Sequence, residues 1–248
     1  MLQVSGTLRL FRHLNYTLKH CYRLSHLRHW NTMATKPLNF FSGPLVWIDC
    51  EMTGLNPRKD KILEIAVLIT NGNLDIVDEG LEFVIKTDKE ALDGMDEWCK
   101  NQHGQSGLTK ACLESPHTKE YVSKEVLDYV KKWIPQQRIG VLAGNSVHAD
   151  RSFLVEEMPE LVDWLHYRIV DVSSIKELSR RWYPQRGIPR QAESSHRALD
   201  DIRGSIRELQ WYRKNIFVPS EPPAQAAASS RSVSPKSPQS PTQKSPRR

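Results

Sequence analysis

Apolar residues in this chain fall into short runs divided by turn signals. Leu45-Val-Trp-Ile48 is an apolar run with β-branched and aromatic members and reads as a buried strand. Ile62 to Thr70 is almost entirely apolar and predicts a second strand, and Asn71-Gly72-Asn73 marks the turn after it. Leu81 to Ile85 predicts a third, so the chain opens as an antiparallel meander. The period then changes. Asp96 to Gln102 reads as helical, Ser106 to Thr109 as a helix entry, and Val122, Val126, Val130 and Trp133 keep helical spacing. A strand over Gly140–Ala143 precedes a helix from about Ala149. A strand over Tyr167–Val170 precedes a helix over Val172–Trp182. A last helix, over about Ala198–Tyr212, carries the stripe Leu199, Ile202, Ile206, Leu209. Strands followed by alternating helices and strands predict an α/β domain on a mixed sheet, spanning about residues 43–217. No stretch approaches the ~20 apolar residues of a membrane span, so no membrane insertion is expected.

Charge divides the chain into three parts. Residues 1–48 hold six Lys/Arg and no acid. Arg, His, Ser and Thr are scattered there among Leu, Tyr and Phe, with no continuous apolar core. Residues 1–38 therefore read as a mitochondrial transit peptide or basic leader, with Met33 as an internal start that would leave a cytosolic or nuclear form. Residues 219–248 hold five Lys/Arg, one acid and four Ser-Pro steps, at Ser234, Ser237, Ser240 and Ser245. They read as a disordered basic tail. The middle is slightly acidic, with 28 acids against 24 basic residues. That argues against a broad nucleic-acid-coating surface and fits a local acidic site. Cys21, Cys50, Cys99 and Cys112 form no C-x-x-C pair, which suggests free thiols more than a disulfide framework or zinc site.

The first strand runs into Asp49-Cys50-Glu51. Residues two apart on a strand point the same way, so both carboxylates leave one face. Side by side they repel and resist desolvation, which a hard divalent cation relieves. Asp150 follows Gly144-Asn-Ser-Val-His-Ala149 at a helix start, where Asn145 or Ser146 could act as the cap. On the last helix, Asp200 has ordinary partners in Arg203 and Arg207. Asp201 lies nearer the small Ala198 and Ser205, which favours it as the site acid. His196 precedes it in the expected loop.

Asp49-x-Glu51, Asp150 and His196-x4-Asp201 together resemble the DEDDh family of 3′-to-5′ exonucleases. The wording around them resembles its oligoribonuclease branch: Asp-x-Glu-Met-Thr-Gly-Leu, Trp98-Cys, Ser106-Gly-Leu-Thr, Gly144-Asn-Ser-Val-His, His166-Tyr-Arg-Ile-Val-Asp171, Arg181-Trp-Tyr-Pro184 and Ser195-His-Arg-Ala-Leu-Asp-Asp-Ile-Arg203. The basic leader is similar to that of the animal mitochondrial form. Cys50 departs from the usual aliphatic residue, and the Ser-Pro tail has no counterpart. The resemblance covers about Leu45 to Phe217 and implies a ribonuclease H-like, mixed five-stranded sheet flanked by helices. It implies hydrolysis of single-stranded RNA of two to about five residues to nucleoside 5′-monophosphates. Two ions, Mg2+ or Mn2+, would sit on Asp49, Glu51, Asp150 and Asp201, with His196 as general base. By the same resemblance Leu55 is a wedge between bases, Trp98 a stacking residue and Ser146 a substrate contact. Tyr167 and Arg168 are donated by the second subunit of a homodimer with composite sites. Two rival expectations are a DNA exonuclease built on the same acids and an RNA-binding module without turnover. Retention of all five site residues argues against the second.

Overall fold

A computed structural model describes residues 36–187, 189 and 198–217. The predicted tail, most of the predicted leader, and His196 lie outside the described residues. The sheet is built from β1 (Leu45–Met52), β2 (Ile62–Thr70), β3 (Leu81–Val84), β4 (Val141–Gly144) and β5 (Ile169–Asp171), in the order β3-β2-β1-β4-β5. β3, β2 and β1 pair antiparallel, the predicted meander. β4 and β5 add in parallel on the other side of β1, which makes the sheet mixed. The helices are α1 (Lys89–Asp93), α2 (Glu97–Ser106), α3 (Leu108–Glu114), α4 (Lys119–Trp133), α5 (His148–Glu157), α6 (Pro159–Trp164), α7 (Val172–Trp182) and α8 (Ala198–Asn215).

The alternation along β1 decides where the site lies. Val46, Ile48 and Cys50 face one apolar layer, which includes Val122, Val126 and Val130 of α4 and Phe153 and Leu154 of α5. Trp47 faces the other layer, with Ile202, Ile206, Leu209 and Tyr212 of α8. Asp49 and Glu51 continue the Trp47 row, so their side chains emerge on the face that α8 covers. A third cluster, around Leu63, Leu92, Met95, Cys99, Leu108 and Cys112, packs α1, α2 and α3 near the acidic end of β1. Cys50, Cys99 and Cys112 are buried free thiols.

Several boundaries differ from expectation. β1 carries the two acids as expected and runs one residue past them, to Met52. Asp49 pairs with Ala66 and Glu51 with Glu64, and the ladder slips by a bulge only between Glu51 and Met52. The two acids therefore sit within a hydrogen-bonded strand, which holds their backbone rigidly. β5 begins at Ile169, leaving Tyr167 and Arg168 on the approach to it. Neither Asn145 nor Ser146 caps α5: its N-cap is Val147, with no side-chain cap bond. The Asn145 amide is used elsewhere, donating to Ser205 Oγ at 2.8 Å and Glu208 Oε2 at 3.3 Å. Ser106 closes α2, and Gly107 at φ 79° turns the chain into α3. α1 and α6, at five and six residues, are too short for a helical period to show in the sequence.

Candidate active site

Asp201 enters from the first turn of α8 and meets the β1 acids. Carboxylate oxygens of Asp49, Glu51 and Asp201 all lie within 4.8 Å of one another. Asp150 stands apart from that tight group. It is only 6% exposed, and its Oδ1 accepts the Cys50 N–H at 3.0 Å. That bond ties the start of α5 to the middle of β1 and keeps a fourth carboxylate against the first two.

Burial and the neighbouring carboxylates dominate the electrostatics here. Burial raises the Asp49 pKa well above the usual carboxylate range, and Asp150, Glu51, Asp201 and Glu64 push it further. Glu51 is pushed up to about 7, first by burial and then by Glu64, Asp201 and Asp150. Asp150 is raised to about 6 by burial, partly offset by the Cys50 N–H and its own backbone. Oxygen donors of this kind suit hard divalent ions, whose charge reverses every one of these repulsions. The residues present therefore fit a divalent metal ion.

Two buried groups at this site escaped the sequence reading. Glu64, 1% exposed, lies directly across from Glu51 in the β1–β2 register. An acid in the otherwise apolar run Ile62-Leu-Glu-Ile was its only signal. His103, from α2, donates its Nε2–H to the Met52 carbonyl at 2.9 Å, and its Nδ1 lies 3.9 Å from Glu51 Oε2. It satisfies the backbone at the β1 bulge and backs the Glu51 carboxylate. A histidine in the helix after Trp98 was visible, but nothing local tied it to Glu51.

A cleft of about 440 Å³ opens beside Glu51, lined by Cys50, Glu51, Met52, Gly54, Leu55, Asp96, Trp98, Cys99 and His103. Leu55 is 86% and Trp98 69% exposed at its walls, so neither is a core residue. Large apolar side chains left in solvent beside a carboxylate cluster provide surface for flat, apolar ligand faces. Tyr167 is exposed and does not line this cleft. It stacks on His166 with ring centres 4.5 Å apart, and the Arg168 guanidinium lies over its ring at 5.0 Å.

Ser146 holds a left-handed backbone (φ 53°) unusual for a residue with a side chain. Its N–H donates to Asp171 Oδ1 and Ser173 Oγ, each at 3.0 Å, which fixes the turn. Ser173 Oγ–H in turn donates to Asn145 Oδ1 at 3.1 Å. Ser205 Oγ–H donates to the Asp201 carbonyl at 3.0 Å while accepting from Asn145. One chain of hydrogen bonds thus links the turn before Asp150 to the helix turn that carries Asp201.

The sheet topology and carboxylate cluster define a nuclease of the ribonuclease H-like exonuclease class, and an exonuclease family model matches residues 46–209. Exonuclease I from Methylocaldum szegediense shares the fold, with a TM-score of 0.55 and 17% identity over 70% of this chain; this chain spans 41% of its length. An Escherichia coli exonuclease I bound to an oligonucleotide gives a TM-score of 0.53 at 12% identity, over 70% of this chain and 40% of that one. Sequence similarity narrows the class. The mitochondrial oligoribonuclease of Mus musculus is 53% identical over 70% of this chain and 73% of its own. The oligoribonuclease of Hydrogenovibrio crunogenus is 46% identical over 71% of this chain and 95% of its own. The chain belongs to the oligoribonuclease family, an exoribonuclease group that works from the 3′ end.

Proposed function

We propose that this chain hydrolyses very short single-stranded RNA, from dinucleotides to about pentamers, releasing nucleoside 5′-monophosphates from the 3′ end. The observation that carries this reading is the juxtaposition of the Asp49–Glu51–Asp201 cluster with a small cleft walled by exposed Leu55 and Trp98. Asp49, Glu51, Asp150 and Asp201 would hold two Mg2+ or Mn2+ ions, which would supply charge neutralisation at phosphorus, activation of the attacking water and support for the leaving oxygen. His196 takes a proton from that water, since an imidazole of ordinary pKa is suited to a base at neutral pH. Water attacks phosphorus, the bond to the 3′ oxygen breaks, that oxygen takes a proton from solvent, and His196 returns its own proton to solvent. Leu55 separates the last two bases, and Trp98 stacks on one of them. Ser146 contacts the substrate.

In this reading Tyr167 and Arg168 serve the neighbouring copy of a homodimer and close the 5′ end of the substrate. Their exposure, on the approach to β5, supports that role. Similarity to the mitochondrial oligoribonucleases of Mus musculus and Homo sapiens supports a mitochondrial destination, in the intermembrane space or matrix. Residues 1–38 serve as its transit peptide and Met33 as the start of a cytosolic or nuclear form. Residues 43–217 are the exonuclease domain and 219–248 a basic tail rich in Ser and Pro.

The test is digestion of a labelled RNA dinucleotide, its DNA counterpart and a long RNA side by side, with Mg2+ and with chelator. The RNA dinucleotide should be consumed fastest, and chelator or Asp201→Ala should abolish turnover. Preference for long RNA or DNA, or full activity in chelator, would refute the reading.

A further inference from the structure

Leu55 is 86% exposed, yet its loop is tightly built. An apolar side chain that must enter between two bases works only if its backbone is held still relative to Asp49 and Glu51. The loop joining β1 to β2 shows what holds it. Asp60 Oδ2 accepts the N–H of Asn56, the residue after Leu55, at 2.9 Å. Its Oδ1 accepts Thr53 Oγ–H at 3.2 Å. Thr53 Oγ accepts the Lys61 N–H at 3.0 Å, and Thr53 N–H donates to the Lys61 carbonyl at 3.0 Å. From the other side, the Asp60 and Lys59 N–H groups donate to the Asn56 carbonyl at 2.7 and 2.9 Å.

The carboxylate thus bridges the residues on both sides of Gly54-Leu55. It also lies flat against Gly54: a Cβ there would stand 2.5 Å from Asp60 Oδ2 and 2.7 Å from Cγ. Contacts that short do not occur, so Gly54 is required by the clamp. Asp60 is not among the residues that line the cleft, whereas Gly54 and Leu55 are.

We infer that Asp60 is a positioning residue, clamping the Thr53–Asn56 turn so that Leu55 is presented preorganised to the substrate bases. The inference rests on the reading of Leu55 as the wedge. Without the carboxylate, the backbone bonds of Thr53 to Lys61 and of Lys59 and Asp60 to Asn56 remain, but the Gly54-Leu55 segment loses the bridge between its two ends, and ordering it would fall on the binding step.

The experiment is a double-mutant cycle on kcat/KM for an RNA dinucleotide in Mg2+, with thermal melts of every variant. Asp60→Asn keeps the shape but replaces one acceptor oxygen with an amide donor. It then cannot accept from both Asn56 and Thr53. Gly54→Ala displaces the carboxylate without changing charge. Each should lower kcat/KM by about tenfold to a hundredfold, the range for losing a hydrogen bond to a charged group. In a Leu55→Ala background Asp60→Asn should change it by less than about twofold, because Asp60 acts only through Leu55. Equal losses in both backgrounds would overturn the inference, as would wild-type kcat/KM in the single variants. Collapse of the melting transition in both variants would also overturn it, since the clamp would then support the domain and not the wedge. Wild-type kcat/KM for Leu55→Ala alone would instead remove the wedge itself, so the two failures are distinct.

Discussion

Glu51→Gln should make the metal-free protein more stable at neutral pH while abolishing its activity. Glu51 is mostly buried and faces Asp49, Asp201 and Glu64, and its pKa is pushed from 4.5 to about 7. The folded state therefore holds a proton that the unfolded chain releases. Stability associated with this group is fully present below about pH 4.5 and is lost as pH rises through about 7. At 1.36 kcal/mol per pKa unit the loss is about 3 kcal/mol by neutral pH. Its neighbours titrate with it, so the effect belongs to the cluster and is not to be added residue by residue. A neutral amide of the same shape removes that cost. For a domain of this size it should raise the apparent Tm by roughly 6 to 12 °C in chelator at pH 7.5. At pH 5 Glu51 of the folded wild type is largely protonated, and the gap should shrink to about 1 kcal/mol, roughly 2 to 4 °C. Mg2+ or Mn2+ should stabilise wild type at pH 7.5, much less at pH 5, and the variant little at either. Differential scanning fluorimetry across pH 5 to 8, with and without metal, reads all of this. A metal-free Glu51→Gln protein melting at or below wild type at pH 7.5 would show that mutual repulsion is not the state of this cluster.

Trp98→Ala should lower kcat/KM on a dinucleotide by about 5- to 150-fold, the worth of one base stack, with Tm unchanged because the ring is largely exposed; an unaltered kcat/KM would exclude stacking. His196→Ala should cost about two to four orders of magnitude in turnover at neutral pH, while metal-induced stabilisation survives; a wild-type rate would exclude it as the base. Deleting residues 219–248 should leave dinucleotide hydrolysis and assembly state intact, measured by kcat and by light scattering. It should weaken binding of longer RNA only at low salt, where the tail's positive charge attracts phosphates.

The strands, the mixed sheet and the presence of Asp49 and Glu51 on one side of β1 were legible from local pattern. A period of two follows from backbone geometry and needs no knowledge of the rest of the fold. Which layer that side faces was not local. It depends on α8 covering the Trp47 row, a choice made by packing Ile202, Ile206 and Tyr212 against Trp47, Ala66 and Leu68. That packing also brings Asp201 to the β1 acids across about 150 residues of chain. Glu64 joins them only because the antiparallel register sets it opposite Glu51, and a slip of one residue would turn it to the other face. His103 reaches the β1 bulge because α2 docks beside it, through contacts made by Leu63, Met95 and Cys99. The exposure of Leu55 and Trp98 was likewise undecidable from composition, because an apolar residue after a strand serves a core as readily as a cleft. Burial is settled by what packs above a side chain. Local periodicity therefore set the elements of this protein and the residue types at its site, and long-range packing alone decided which of them meet.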